Sequence, residues 1–202
     1  MTDGRDTGLA VVATTREVLA HPGLHETLLA PWEQQRIARI RIPERRRDVV
    51  AARLLLRLCV ARHTGLALGA SAPAQLCPGC GRAGHGRPYL PCRPGLGLSM
   101  SHADGLVAAA VGPGAVGIDV EPSTRRPGPP GVLSRLLPES GLREAAAAPD
   151  PGPALLRLWV RGEAVLKAGQ DGLRVLTWSD PERAATAAVA AAAPMTVRQV
   201  RA

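Results

Sequence analysis

The sequence predicts an α+β (α/β) fold made of two halves. Short apolar runs, such as residues 9–14 and 106–111, predict β-strands. Two longer stretches, residues 43–64 and 153–168, carry apolar side chains at helical spacing and predict helices. Gly and Pro at residues 112–114 predict the turn at which the two halves join.

Each predicted element has a start or stop signal. Pro31 and Pro43 suit the first turns of two helices, and Gly65 suits the end of the second. The Pro- and Gly-rich segment 123–131 has the composition of a loop. We therefore divide the chain into an N-terminal unit, residues 1–112, and a C-terminal unit, residues 113–202. In chain order, the predicted elements are a strand at 9–14, helices at 28–40 and 43–64, strands at 96–101, 106–111 and 116–121, helices at 132–137 and 153–168, and strands at 173–178 and 196–200.

Composition and charge favour a cytoplasmic protein with an acidic or polyanionic partner. Hydrophobic residues make up 46% and charged residues 21% of the 202 positions, as in ordinary soluble domains. The N-terminal segment is polar, unlike a secretory signal, and the longest apolar run, residues 184–193, is too short for a membrane span. The net charge of +8 favours a phosphorylated ligand or an acidic protein, whereas three Trp, one Tyr and no Phe disfavour nucleic acid. We expect a monomer without a membrane partner.

Two carboxylates in the run Val116-Gly117-Ile118-Asp119-Val120-Glu121 indicate a metal site. Side chains two positions apart on a strand point to the same face, so Asp119 and Glu121 would lie side by side. Adjacent like charges are costly unless a cation lies between them, and Mg²⁺ prefers carboxylate oxygens. The run therefore predicts a hard divalent cation.

The helix predicted at residues 153–168 would present a third carboxylate and a cation. Trp159, Glu163 and Lys167 recur at i, i+4 and i+8, close to one face. Lys167 is the only lysine among 25 basic residues, which suggests that a compact ammonium is needed there. The alternative is an ordinary Glu–Lys ion pair on a helix surface.

The polar side of the helix that begins at Pro43 is rich in arginine. Arg46, Arg47, Arg53 and Arg57 lie on it. It could be a solvated face, or a phosphate cradle near the helix N-terminus, where backbone N–H groups also favour anions. The sequence leaves both interpretations open.

Four potential zinc ligands occur in the irregular segment from Ala70 to Pro94. They are Cys77 and Cys80 in a Cys-x-x-Cys motif, followed by His85 and Cys92. A second Cys-x-x-Cys is absent and the spacing fits no common zinc module. Structural zinc and reduced thiols in a loop both remain open.

Four ordered motifs resemble those of the 4′-phosphopantetheinyl transferase superfamily, in the compact type that activates peptide synthetases. They are Gly86-Arg87-Pro88, Ser101-His102, Gly117-Ile118-Asp119-Val120-Glu121 and the segment from Trp159 to Lys167. Any one of these motifs is weak, but their order is specific. The resemblance runs from about residue 28 to residue 173.

The resemblance implies a fold and an activity. The fold would be a pseudo-twofold pair of α/β subdomains that bind coenzyme A and Mg²⁺ at their interface. The activity would be transfer of the phosphopantetheine arm to a serine of an acyl or peptidyl carrier protein, with release of adenosine 3′,5′-bisphosphate. An acidic carrier protein would suit the basic surface.

The resemblance also implies roles for individual residues. Asp119, Glu121 and Glu163 would surround the metal, and Glu163 would be the base for the carrier serine. Lys167 and His102 would complete the catalytic set by contacting the coenzyme phosphates, with the Ser101 hydroxyl beside them. The remaining contacts to the coenzyme, near its adenine and 3′-phosphate, would come from Gly86, Arg87, Pro88 and Arg46 or Arg47.

Three positions depart from the superfamily pattern. Gly162 stands where the family's helix has a lysine, and Arg161 points about 100° around the helix, so it is a poor substitute. Arg87 replaces the lysine of a Gly-Lys-Pro element, and Asp48 falls near a position that is usually basic. Two alternatives to a transferase follow: a weakly active or inactive coenzyme A-binding homologue, and a zinc-containing nucleic-acid-binding module.

Overall fold

The structure is a computed structural model that describes residues 6–77, 79–128, 133–134 and 137–200. The helix predicted at residues 132–137 and the end of the loop predicted at 123–131 lie partly outside these residues. The elements are β1 (Gly8–Thr14), α1 (Thr15–Leu19), α2 (Pro31–Ala38), α3 (Pro43–Thr64), β2 (Ala74–Leu76), β3 (Arg87–Tyr89), β4 (Leu96–Ala103), β5 (Leu106–Pro113), β6 (Val116–Pro122), α4 (Glu139–Ala146), α5 (Pro151–Ala168), β7 (Arg174–Asp180), β8 (Ala185–Ala191) and β9 (Met195–Arg198).

The strands form two larger sheets and one small hairpin. The first sheet has the order β4-β5-β1-β9, in which β9 runs parallel to β1 and the other pairs are antiparallel. The second sheet has the antiparallel order β6-β8-β7. Strands β2 and β3 pair separately. The last strand of the chain thus lies in a sheet built otherwise from the N-terminal half.

The two sheets pack face to face, and one long helix covers each outer face. Small apolar side chains of β1, β5, β6 and β8 fill the space between the sheets, and the exposed fraction of Ala10, Ala108 and Ile118 is 0%. The opposite face of the first sheet packs on α3. The opposite face of the second sheet packs on α5 through Val160 and Ala164. The result is a layered helix–sheet–sheet–helix arrangement.

Helix α3 begins and ends where the sequence predicts. Pro43 occupies its first turn, and Gly65 ends it in the left-handed conformation with a φ of 74°. Its buried side carries Arg57, which is 0% exposed and pairs with Glu33 on α2. Arg53 also donates to Glu33, at 2.7 Å. Because these charges are paired, burial of the two arginines fixes α2 on α3.

The predicted mixed α+β class is confirmed, but several elements differ from the prediction. Helices α1 and α4 and strands β2 and β3 were not predicted. Helix α5 begins at Pro151, two residues earlier than predicted. Strand β8 was missed, because its sequence is mostly alanine and alanine favours helices over strands. Among the described residues, none of the helices is long and apolar enough to cross a membrane.

Candidate active site

The sole lysine connects α5 to the two sheets. Lys167 Nζ donates to Asp119 Oδ1 on β6 at 2.5 Å and to Ser101 Oγ on β4 at 2.9 Å. Ser101 Oγ also donates to Asp119 Oδ1 at 2.7 Å. The structure thus brings together three residues that the sequence places far apart, on a helix and two strands.

A glycine allows α5 to approach β6 closely enough for this contact. A Cβ atom added at Gly117 would overlap the backbone oxygen of Ala164 and the backbone nitrogen of Ala168. The strand therefore lies directly against the helix backbone. The contact joins Gly117, two residues before Asp119, to Ala168, the residue after Lys167. In the other direction, β6 is joined to β4 because Ile118 N donates to Ser99 Oγ at 3.0 Å.

The two carboxylates of β6 are buried and incompletely satisfied. Asp119 is 4% exposed and Glu121 is 8% exposed. Asp119 Oδ2 and Glu121 Oε2 are buried without a hydrogen-bond partner, although Arg125 Nε lies 3.3 Å from Glu121 Oε2. Buried carboxylate oxygens without partners are costly, and a divalent cation would satisfy them. The donor set therefore fits the predicted metal.

Both Glu121 and Glu163 hold their protons more tightly than free glutamate does. The pKa of Glu121 is raised to about 7, mainly by burial and also by the nearby charge of Asp119, whereas Arg125 and Trp159 oppose the rise. Burial also raises the pKa of Glu163, followed by the nearby charge of Asp119, while Lys167 lowers it. Raised carboxyl pKa values are typical of sites that bind cations or move protons.

The three predicted metal ligands do not form a closed cage. Among the described residues, Asp119, Glu121 and Glu163 are not a group whose ligand atoms all lie within 4.8 Å of one another. Glu163 is half-buried on the helix, and it is close enough to Asp119 for that charge to help raise the pKa of Glu163. Asp119 and Glu121 are thus the better-supported ligands of the candidate metal site.

An arginine-lined cleft, here called the basic cleft, lies beside this cluster. Its volume is about 590 Å³. His102, which follows Ser101 on β4, stands at its edge. Desolvation lowers the pKa of His102, and Arg45, Lys167 and Arg53 add to the effect while Asp48 opposes it. The basic residues lining the cleft are Arg36, Arg39, Arg41, Arg45, Arg53 and His102.

A second, larger cleft, here called the central cleft, reaches the carboxylates. Its volume is about 1190 Å³ and its lining includes His102, Arg47 and Glu121. His102 therefore borders both clefts. Arg46 lines neither of them, because it pairs with Glu26 at 3.2 Å. Of the two arginines that the sequence offered as coenzyme contacts, the structure brings only Arg47 to the site.

The Gly86-Arg87-Pro88 element lies at the C-terminal end of α5, two residues beyond Lys167. Arg87 begins β3, and its guanidinium lies against Gly169, the residue that ends α5 in the left-handed conformation. It therefore lines a groove beside α5 and does not line the basic cleft. Gly86 is tied to the basic cleft indirectly, because its carbonyl accepts from Gln75 Nε2 at 2.8 Å.

Two of the departures from the superfamily pattern have a structural explanation. A Cβ atom at Gly162 would overlap the side chain of Leu137, which is buried against α5. Asp48 is 6% exposed and accepts from Thr15 Oγ1 at 2.5 Å and from Gly105 N at 3.1 Å. Gly162 thus makes room for a neighbouring segment, and Asp48 holds the turn that follows His102.

The cysteine-rich segment forms the loop between β2 and β3. Cys77, Cys80 and His85 have ligand atoms that all lie within 4.8 Å of one another. Backbone hydrogen bonds from Cys80 and Gly79, and one from the Cys80 side chain, lower the pKa of the Cys77 thiol. Cys92, the fourth potential ligand in the sequence, is not part of this group.

Sequence reasoning missed most of the lining of the basic cleft. Arg39, Arg41 and Arg45 were not singled out because they lie on a helix end, a connection and a second helix. The only available signal was the density of arginine around residues 36–47. Such density indicates a binding surface only when the fold turns those side chains toward one space.

Buried carboxylates beside a lysine and an arginine-lined cleft define a class of site that suits a cation and a phosphorylated ligand. Residues 115–198 match the family model described as the 4′-phosphopantetheinyl transferase superfamily. The resemblance inferred from the motifs is thereby confirmed for this segment, which contains β6, α5 and their four charged site residues. The superfamily consists of transferases that use coenzyme A, typically with a divalent metal, and act on carrier proteins. No curated protein matches the chain.

Proposed function

We propose that this protein transfers the 4′-phosphopantetheine arm of coenzyme A to a serine of an acyl or peptidyl carrier protein, releasing adenosine 3′,5′-bisphosphate. The observation that carries the proposal is the contact of Lys167 with Asp119 at 2.5 Å. Glu121, two residues from Asp119, lines the central cleft, which shares His102 with the basic cleft. This arrangement places a cation and buried carboxylates next to a space lined by arginines. The matched segment, residues 115–198, contains these carboxylates and the lysine.

The clefts support a binding mode for coenzyme A. The 3′-phosphate and pyrophosphate carry the negative charge of the coenzyme, and the basic cleft offers Arg39, Arg41 and Arg45 to receive it. The N-terminus of α3 adds backbone N–H groups at Arg45, where anions are favoured. His102 would lie at the passage from the basic cleft to the central cleft. The coenzyme would therefore bind with its phosphates near His102 and Lys167.

The carboxylates support a Mg²⁺ site of the kind that phosphoryl transfer requires. Asp119 and Glu121 would hold the ion through their unpartnered oxygens, with Glu163 closing the site from α5. The bound ion would neutralise charge on the pyrophosphate and polarise the phosphoryl oxygen. Lys167 would then donate to the phosphates instead of to Asp119, because the bound ion would neutralise that carboxylate.

Glu163 is the proposed base for the carrier serine. Its raised pKa brings its proton affinity closer to that of a useful base at neutral pH. It is half-buried and one helical turn from Lys167, so an incoming hydroxyl could meet it at the rim of the site. The serine oxygen would attack the phosphoryl group as Glu163 accepts its proton, and the adenosine bisphosphate would leave.

Further features of the proposal concern the setting of the reaction. We place the protein in the cytoplasm as a monomer of the holo-[acyl-carrier-protein] synthase type, acting on acidic carrier proteins of secondary-metabolite or fatty-acid assembly. The net charge of +8 supports an acidic partner. The pairing of the first sheet with α3 and of the second sheet with α5 supports a pseudo-twofold relation between residues 1–112 and 113–202, with β9 crossing from the second unit to the first sheet.

A transfer assay tests the proposal directly. The protein is incubated with coenzyme A, Mg²⁺ and a panel of apo carrier proteins, and each carrier is weighed by mass spectrometry. We expect the mass gain of the arm on at least one carrier, and none when its acceptor serine is replaced by alanine. Glu163→Gln should lower the rate, whereas Glu139→Gln, which changes an exposed carboxylate on α4, should not.

Failure of the assay separates the two alternatives. Coenzyme A binding without transfer to any carrier would identify a weakly active or inactive homologue, the outcome that Gly162 suggests. Salt-sensitive binding of DNA or RNA with no coenzyme A binding would favour the zinc-containing nucleic-acid module. Measurement of coenzyme A affinity by calorimetry therefore accompanies the transfer assay.

A further inference from the structure

We propose that Cys77, Cys80 and His85 bind a zinc ion that holds the loop between β2 and β3. The three ligand atoms all lie within 4.8 Å of one another, and Cys80 Sγ lies 3.1 Å from His85 Nε2. Two cysteines and one histidine are ligands that zinc prefers. The site is separate from the carboxylates and does not depend on the transferase activity.

The distances are close to those of a zinc centre. Tetrahedral zinc would hold a cysteine sulfur and a histidine nitrogen about 3.6 Å apart and two sulfurs about 3.8 Å apart. The separation between Cys80 and His85 is shorter than this, because their side chains contact each other directly. The cluster therefore needs to open by about half an ångström to accept the ion, which side-chain rotation can provide.

The backbone of the loop is shaped around the three side chains. Gly81 N donates to Cys77 O at 2.9 Å, which closes the Cys-x-x-Cys turn. Gly81, Gly84 and Gly86 have φ values of 65°, 87° and 89°, a conformation that disfavours other residues. A Cβ atom at Gly86 would come within 2.6 Å of the Cα atom of Cys77. The glycines therefore let the histidine end of the loop fold back on its cysteine end.

Short strands and a few polar contacts hold the loop, including those of Gly84 with Arg36 and of Gly86 with Gln75. Strands β2 and β3 are three residues long each, and an isolated hairpin of this size is marginal in water. Cys80 is exposed and His85 is only half-buried, so a hydrophobic core does not fix them. A zinc ion would supply the missing free energy, as it does in other small metal-bound loops.

The fourth ligand is not Cys92. In the β2–β3 pairing, Arg87 lies opposite Leu76 and Tyr89 lies opposite Ala74, so the chain runs away from the zinc end after Arg87. Cys92 follows three residues beyond Tyr89, at the far end of the hairpin, and is exposed. The exposed Cys80 side leaves one coordination position open to water.

Zinc would thereby position residues of the hairpin that reach the rest of the protein. Arg53 Nη2 donates to Gln75 Oε1 at 3.1 Å, and Gln75 Nε2 donates to Gly86 O at 2.8 Å. Arg36 donates to Gly84 O in the same loop. Two residues beyond His85, Arg87 lies on the end of α5. The metal would thus fix the β2–β3 hairpin, which contacts α3 through Gln75 and the end of α5 through Arg87.

Metal analysis of the full-length protein tests the proposal. Binding would release the proton of each thiol as the two sulfurs become ligands. We expect one zinc ion per chain after purification, and tetrahedral cobalt absorption with sulfur charge-transfer bands when Co²⁺ replaces it. Cys80→Ser and His85→Asn should each weaken zinc affinity by about tenfold or more in competition with a chromophoric chelator. The matched control, Cys92→Ser, should retain the ion.

Limited proteolysis supplies a readout of the loop itself. Arg82 is exposed between Cys80 and His85, and its carbonyl accepts from Cys77 N at 3.0 Å. Removal of zinc should increase tryptic cleavage after Arg82 by about tenfold, and Cys92→Ser should behave like the unmodified protein. The proposal is overturned by a metal-free protein that does not take up added zinc, by a Cys77–Cys80 disulfide in the purified chain, or by loss of zinc in Cys92→Ser.

Discussion

At the scale of single residues, the candidate site depends on one ammonium group. Lys167 is the only lysine among 25 basic residues, and it reaches a carboxylate and a hydroxyl at once. An ammonium offers three donors from one point, whereas the five donors of a guanidinium have a fixed planar arrangement. Ser101 Oγ and Asp119 Oδ1 are 2.7 Å apart, so a compact donor suits them better than a planar one.

Replacement of the lysine should therefore be costly even when the charge is kept. We expect Lys167→Arg to lower kcat/KM for carrier modification by about 10-fold, and Lys167→Met by about 100-fold, because hydrogen bonds to charged groups are worth about 1.5–3 kcal/mol. Kinetics with a carrier from the panel measures this. Arg143→Met, on α4, is the matched control for loss of a cation. Full activity in Lys167→Met would show that the lysine has no part in the reaction.

The raised pKa of Glu121 gives a second test at this scale. Burial raises its pKa from 4.5 to about 7. The folded protein thus keeps a proton that the unfolded chain loses, so this group makes the free energy of unfolding fall as the pH rises from about 4.5 to 7. A metal needs the ionised carboxylate, so Mg²⁺ affinity should rise over the same range and level off above pH 7.

Calorimetric titration of Mg²⁺ between pH 5.5 and 8.5 measures this dependence. Each unit of pH below the pKa of Glu121 should weaken binding by about tenfold if one proton is displaced. In Glu121→Gln the slope should become shallower and the affinity lower. A Mg²⁺ affinity that is equal at pH 5.5 and pH 8.5 would exclude Glu121 as a ligand.

The charged residues of the site were the most predictable part of the molecule. Asp119 and Glu121 could be paired from strand periodicity alone, and Glu163 and Lys167 from helix periodicity. Their mutual approach could not, because it depends on Gly117 allowing two elements far apart in sequence to pack closely. Periodicity fixes which side chains share a face, but only packing decides which faces meet.

At the scale of elements, α5 packs against different neighbours on two of its faces. One face packs on β6 and β8 through Val160 and Ala164, which are 0% exposed. Another face receives Leu137 at Gly162. Glycine inside a helix costs about 1 kcal/mol relative to alanine. The helix accepts that cost at Gly162 because a larger residue would overlap Leu137.

A substitution at this glycine should therefore destabilise the protein. Overpacking costs about 1–3 kcal/mol, which exceeds the gain of about 1 kcal/mol in helix propensity. We expect Gly162→Ala to lower the free energy of unfolding by about 1 kcal/mol, measured by chemical denaturation. In a Leu137→Ala background the same substitution should instead be neutral or stabilising. Gly162→Lys, which restores the family residue, should raise the transfer rate only if Leu137 can move aside.

Element boundaries show where local sequence signals were sufficient. Pro43 and Gly65 mark the ends of α3 within one residue of the structure, because each acts through its own backbone conformation. Strand β8 has the sequence ATAAVAA and no such signal. Its seven residues are all buried between two strands, the other sheet and α5, where only small side chains fit. That requirement comes from the tertiary structure.

At the scale of the whole molecule, the two sheets are joined by strand β9, which follows the second sheet and pairs in the first, and by an ion pair. Strand β9, the last strand, pairs in parallel with β1, the first strand. Arg183, at the β7–β8 connection, donates to both carboxylate oxygens of Glu17 on α1, at 2.6 and 2.9 Å. A bidentate pair of this kind is stronger than an ordinary surface ion pair. Neither contact could be inferred from the sequence, since Glu17 and Arg183 are 166 positions apart and the partners in the β1–β9 pairing are still farther apart.

This ion pair should make the protein sensitive to acid. The hydrogen bond from Arg183 is the main cause that lowers the pKa of Glu17 from 4.5 to about 2, against the effect of burial. A folded-state pKa below the unfolded value contributes stability that is complete above about pH 4.5 and is lost as the pH falls toward 2. Since Glu17 is 35% exposed, solvent screening limits that contribution to about 1 kcal/mol.

Chemical denaturation at pH 7 and pH 3 measures the contribution. We expect Glu17→Gln to lower the free energy of unfolding by about 1 kcal/mol at pH 7 and to have a smaller effect at pH 3, where the native glutamate has begun to lose its advantage. Glu139→Gln, whose exposed partner Arg143 lies one helical turn away, should change stability little at either pH. An equal loss at both pH values would contradict a contribution that depends on the charge of Glu17.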